Sequence, residues 1–108
     1  MGQVGDGASR ASVEVSVDPN GAPVVSLRGE LDMSNVEAIE AELGGVIATA
    51  AALLVFDLSA LEFIDSSGIA LLLRAAEKVG RIELRNPSDI VQRVIQATGL
   101  SDVLHVQP

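Results

Sequence analysis

The sequence predicts a single α/β domain: an N-terminal β-hairpin, then alternating helices and strands in a mostly parallel, mixed five-stranded sheet. Three observations predict it. Val13-Glu-Val15-Ser-Val17 alternates strictly and runs into turn chemistry at Asp18-Pro-Asn-Gly21. Three later stretches repeat apolar residues at helical spacing. The runs between them have the length and pattern of strands.

The elements follow in order. Residues 1–10 are small and polar with three glycines, and a disordered lead is expected there. After the first strand and its turn, Pro23-Val-Val-Ser-Leu-Arg28 is the second strand of the hairpin. Ser34, with Glu37 three residues on, has the pattern of a capping box and opens a helix. Val36, Ile39, Leu43, Val46, Ile47 and Ala50 form its apolar face. Gly44 and Gly45 lie inside this helix and mark either a bend or a close helix contact. Ala52-Leu-Leu-Val-Phe56 lacks polar alternation, as expected for a strand flanked on both sides, and Asp57 stands at its end. A helix over 65–79 stops at Gly80. Arg81-Ile-Glu-Leu-Arg85 is a strand. Asn86-Pro87 supplies an N-cap and first-turn proline for a helix striped by Ile90, Val91, Val94 and Ile95 and stopped by Gly99. Val103-Leu-His-Val106 is a short final strand. The pattern leaves open whether the helices cover one sheet face or both.

Composition excludes several classes of function. The chain has 108 residues, 48% of them apolar, enough for one core. It has no cysteine, which excludes disulfides, thiolate metal sites and thiol redox sensing. Tyr and Trp are absent, so no aromatic platform for bases exists. A net charge of −8 with scattered basic residues argues against nucleic acid, which needs clustered Lys and Arg. No run reaches the length of a membrane span, so no membrane insertion is expected. The N-terminus lacks a basic region followed by an apolar core, so the expected location is cytoplasmic.

The most informative residues are Asp65-Ser66-Ser67-Gly68. They fall between the apolar Phe63-Ile64 and the helix of 65–79, which puts two hydroxyls at a helix start. Free N–H groups and the positive end of the helix dipole favour an anion there, so a phosphate on Ser66 would meet donors at once. Asp65 is the natural N-cap, with Ser66 first in the helix and its hydroxyl free to face solvent. Gly68 has no side chain, which would let a bulky partner approach the helix start. The plainer reading makes both serines ordinary helix-start residues and Asp57 a structural acceptor.

No catalytic machinery is legible. Ser66 lacks the Gly-x-Ser-x-Gly elbow, the single histidine His105 is far away in sequence, and no Gly-rich phosphate loop is present. No enzyme activity, no cofactor and no metal are expected.

Gly29-Glu-Leu-Asp32, Phe56-Asp-Leu-Ser59, Phe63-Ile-Asp-Ser-Ser-Gly68, Asn86-Pro87 and Thr98-Gly-Leu100 stand in an order and spacing that resembles the STAS domain family. The likeness is to its small free-standing anti-sigma factor antagonists and covers about residues 12–106; residues 11–108 would form the domain. The resemblance implies partner switching in bacterial signalling. The dephosphorylated protein binds an anti-sigma factor that is also a serine kinase, and a sigma factor is released. The kinase phosphorylates the first serine after the aspartate, Ser66 here, and a serine phosphatase restores it. Asp32 would meet a basic residue of the kinase, and Asp65, Ser66, Ser67, Gly68 and Ile69 would supply the remaining contact. Members usually carry one more helix after the last strand, and the sequence ends at Pro108 without it; a monomer or weak dimer is expected. The same resemblance admits a STAS subunit docked on a transporter ATPase, which co-purification would reveal. It also admits a nucleotide-binding sensor, which titration with ATP or GTP would reveal.

Overall fold

The computed structural model describes residues 10–50 and 52–107. The disordered lead expected over 1–10 lies, except for Arg10, outside the described residues. The elements are β1 (Ala11–Val17), β2 (Pro23–Leu31), α1 (Val36–Thr49), β3 (Leu54–Ile64), α2 (Ser66–Val79), β4 (Ile82–Arg85), α3 (Asp89–Thr98) and β5 (Val106–Gln107). They build one sheet in the order β1-β2-β3-β4-β5. β1 and β2 are antiparallel, and every other neighbouring pair is parallel. This is the expected hairpin followed by α/β alternation.

One apolar cluster holds the domain together. Val25, Leu27 and Leu31 of β2, Leu54, Phe56, Leu58, Leu61 and Ile64 of β3, and Ile82 and Leu84 of β4 point into it. Ile39 and Leu43 of α1, Leu71, Leu72 and Ala75 of α2, and Val91 and Ile95 of α3 meet them. All three helices thus share one core on one sheet face. The alternate residues of β2 and β4, among them Ser26, Arg28, Glu30, Glu83 and Arg85, carry the polar groups of the other face. There Arg85 reaches Asp18 of the hairpin turn at 3.6 Å and Glu83 at 3.0 Å.

β3 departs most from its expected form. It starts at Leu54 rather than Ala52 and runs through Asp57 to Ile64. Its register against β2 slips twice: Ser26 faces Asp57 but Arg28 faces Ala60, and Gly29 faces Leu61 but Glu30 faces Phe63. Each slip adds one residue to β3, as a bulge does. The inward residues therefore fall at 54, 56, 58, 61 and 64, a spacing that strict alternation cannot detect. The bulged half of β3 outruns β4, which pairs with it only as far as Asp57. It carries the chain to the end of β2, where the candidate site lies.

Three boundaries also differ. The capping box at Ser34 and Glu37 does not form; α1 starts at Val36, and Ser34 Oγ donates to Asp32 Oδ1 instead, at 2.6 Å. Ser88, not Asn86, caps α3, with its Oγ accepting from the Val91 amide at 3.2 Å, while Asn86 adopts a left-handed φ of 58°. The final strand is only Val106–Gln107, because the preceding residues form a turn whose Leu104 is buried. Gly44 and Gly45 mark no close contact: a Cβ at either would meet nothing within 4 Å.

Candidate functional site

The site forms where β2 and β3 end side by side. Their parallel register sets Leu31 beside Ile64, so the next residues, Asp32 and Asp65, leave the sheet together. The Asp65 amide donates to the Leu31 carbonyl at 3.2 Å. Upstream, Gly29 has a φ of 87°, and a Cβ there would overlap the carbonyl oxygen of Arg10. Only glycine lets the edge chain close over β2 at this point.

Asp32 organises the first turn. Its Oδ1 accepts from the Ser34 amide at 2.9 Å, and its carbonyl accepts from the amides of Asn35 at 3.1 Å and Val36 at 2.9 Å. Asn35 answers with Oδ1 accepting from the Asp32 amide at 3.1 Å and Nδ2 donating to the Glu30 carbonyl at 2.8 Å.

Asp65 organises the second turn. It is the N-cap of α2, as expected: Oδ1 accepts from the amides of Ser67 at 2.8 Å and Gly68 at 3.1 Å. Its other oxygen, Oδ2, accepts from the Met33 amide at 3.2 Å. One carboxylate thus ties both turns together.

Ser66, the first residue of α2, is exposed, and Ser67 is half-buried. Gly68 and Ile69, expected as partner contacts, are buried, Ile69 being only 4% exposed. The reason expected for Gly68 gives way to another. A Cβ there would lie 2.5 Å from Ile64 Cγ1 and 3.1 Å from Leu31 Cδ2, so the missing side chain seats α2 on the ends of β2 and β3. Gly68 and Ile69 hold the helix start in place and leave Ser66 outside.

Farther along α2, Arg74 forks onto Glu40 of α1, with Nε 2.9 Å from Oε2 and Nη2 2.7 Å from Oε1. The hydrogen bond from Arg74 outweighs desolvation and holds the Glu40 carboxyl below the usual carboxylate range. Asp57 accepts from the Ser59 amide at 3.0 Å, a structural role, and stands inside β3 rather than at its end. His105 precedes β5, at the sheet edge two strands from β3. Among the described residues no group of three or more His, Cys, Asp or Glu side chains is placed to hold a metal ion, and no helix is long and apolar enough to cross a membrane.

The exposure of two apolar residues near the site escaped the sequence reading. Met33, in the turn after β2, is 78% exposed, and Phe63, the last residue but one of β3, is 40% exposed. The available signal was an apolar residue inside the otherwise polar run Asp32-Met-Ser-Asn35.

The STAS domain model matches residues 13–108. Anti-sigma-F factor antagonist RsfB of Mycobacterium tuberculosis is 42% identical over 71 residues, which is 65% of this chain and 58% of that protein's length. A crystal structure of an anti-sigma factor antagonist from Mycobacterium paratuberculosis superposes with a TM-score of 0.82 at 34% identity, covering 92% of this chain and 86% of that one. The anti-sigma factor antagonist SpoIIAA in its unphosphorylated form superposes with a TM-score of 0.73 at 29% identity, covering 90% and 89%.

Proposed function

The chain belongs to the STAS domain family, and we propose that it is an anti-sigma factor antagonist switched by phosphorylation at Ser66. In this reading the unmodified protein docks on an anti-sigma factor that is also a serine kinase, and a sigma factor is freed. The kinase transfers the terminal phosphoryl group of ATP to Ser66 Oγ, the hydroxyl proton leaves, and ADP departs. The modified protein lets go, and a serine phosphatase hydrolyses the phosphate. The cycle runs in the cytoplasm, with no nucleic acid held by this chain.

The observation that carries this reading is the setting of Ser66. It is exposed, and its hydroxyl makes no hydrogen bond among the described residues. The helix start behind it is fixed by Asp65 and by the packing of Gly68. A kinase therefore meets a free hydroxyl on a rigid support. The phosphoryl group adds about −1.5 to −2 charges. They arrive beside Asp65 and within a few residues of Glu62. Weakening a complex a thousandfold takes about 4 kcal/mol. One charge buried without a partner at an interface supplies about that much. The switch therefore requires no change of fold.

Phosphate mapping tests the assignment. The protein is incubated with ATP and extract of its native cells and read by mass spectrometry, with Ser66→Ala and Ser67→Ala in parallel. Phosphate on Ser66, lost in Ser66→Ala and kept in Ser67→Ala, is expected. Phosphate that persists in Ser66→Ala would move the site.

A further inference from the structure

β3 keeps a free edge where it outruns β4. β4 pairs with it only over residues 54–57, and among the described residues no other strand lies beside residues 58–64 on that side. A strand edge without a neighbour presents unpaired N–H and C=O groups. Along this edge runs a groove of about 790 Å³. Residues 59–62 of β3 line it, and so do Ser88, Ile90 and Arg93 at the start of α3. A strand edge facing a helix across a groove is a geometry in which an extended peptide can add a strand to a sheet. Arg28 of β2 lines the same groove. Arg28 and Arg93 are both exposed and make no ion pair or hydrogen bond among the described residues, whereas Arg74, Arg81 and Arg85 each pair with a carboxylate. Glu62 and Asp89 also line the groove and pair with neither guanidinium. A guanidinium presents donors matched to a carboxylate.

We propose that this groove takes a short extended segment of a partner protein, which pairs its backbone with the free edge of β3 and sets a carboxylate beside the free guanidinia of Arg28 and Arg93. Shape and charge define the occupant. Residues 59–62 span four positions, roughly 13 Å of strand, so the paired stretch is short. Both register slips of β3 against β2 fall in the same half of the strand, and a bulged edge resists pairing with a long flat strand. The net charge of −8 repels a run of acids at long range. The segment therefore carries a single carboxylate among uncharged residues. A second copy of this chain would bring its own charge of −8 to the groove, which disfavours self-pairing. Ile90, 56% exposed, gives an apolar side chain of the segment a contact. Ser66 does not line this groove, and the docking needs no phosphate.

The test is an array of random hexapeptides probed with the full chain. Peptides with one Asp or Glu should be enriched among the binders, and peptides with one Lys depleted. The best binder is then followed by fluorescence anisotropy. The double substitution Arg28→Gln, Arg93→Gln should weaken it about tenfold or more, the loss expected for hydrogen bonds to a charged group. Circular dichroism of that variant should match wild type, since both side chains are exposed. Methylating alternate backbone amides of the peptide should abolish binding on one edge and spare it on the other, as pairing through a single strand edge requires. No enrichment of single-acid peptides, or an affinity unmoved by the double substitution, would overturn the proposal. So would methylation without effect on either edge. Free glutamate competing at the same concentration as the peptide would reduce the groove to an anion subsite and overturn the strand pairing. A wild-type dimer in gel filtration that the double substitution dissolves would assign the groove to self-association instead.

Discussion

Asp65 accepts the backbone amide of Met33 at 3.2 Å, across thirty-two positions of sequence. The same carboxylate caps α2 through its other oxygen. The helix start that carries Ser66 and the turn that carries Asp32 are therefore tied through one side chain. A partner that reads both turns meets a surface assembled before binding, which spares it the cost of ordering loops.

Removing that carboxylate should cost stability. Asp65→Ala loses the cap of α2 and the tie to Met33, and an N-cap alone is worth about 1–2 kcal/mol. Asp65→Asn keeps one acceptor oxygen and should lose less. Urea unfolding of the two variants ranks them; equal midpoints for Asp65→Ala and wild type would show that the three hydrogen bonds add nothing net.

Two glycines on helices should respond oppositely to alanine. Gly68→Ala forces a Cβ to within 2.5 Å of Ile64 Cγ1, and such overpacking costs about 1–3 kcal/mol. Gly44→Ala is exposed, meets nothing within 4 Å, and should stabilise α1 by up to about 1 kcal/mol. Thermal unfolding of the pair checks the signs.

The Glu40–Arg74 pair should write a pH dependence into stability. Arg74 holds the Glu40 carboxyl below its ordinary value of 4.5. A group lowered on folding stabilises the native state above its unfolded value, and that stabilisation fades as pH falls through the lowered one. Wild type should therefore exceed Glu40→Gln in stability near neutral pH, by a small margin for a surface pair. The margin should vanish in acid below the carboxylate range. Urea midpoints against pH measure it; a margin that grows in acid contradicts the assignment.

Ser66 variants should separate fold from switch. Ser66→Asp should keep the wild-type circular dichroism and unfolding midpoint, because the side chain lies outside the core at a helix start that tolerates negative charge. It should bind the kinase more weakly. Ser66→Ala should bind it and stay bound when ATP is added. Release of Ser66→Ala by ATP would place the switch elsewhere.

The element order, the hairpin, the parallel sheet and the Asp65 cap were legible because each rests on local chemistry. Val13-Glu-Val15 alternates, Asp65 precedes an apolar helix, and Gly80 and Gly99 stop helices where expected. The length of β3 was not, because two bulges break the alternation that reveals a strand and give Leu58, Leu61 and Ile64 a spacing of three. The cap of α1 misled for a related reason. Ser34 and Glu37 have the spacing of a capping box, but Asp32 takes the Ser34 hydroxyl and amide first. Gly68 could be read as open or as crowded, and only the positions of Leu31 and Ile64, far apart in sequence, decide it. Met33 was missed because exposure of an apolar residue depends on tertiary placement.

The central claim is that charge at Ser66 controls partner binding. The most direct measurement uses wild type and Ser66→Asp as paired baits in extract of the native cells, read by mass spectrometry. The account predicts that a serine-kinase anti-sigma factor is recovered with wild type and lost with Ser66→Asp. Equal recovery of that kinase by both baits, or of a transporter ATPase by both, would contradict it.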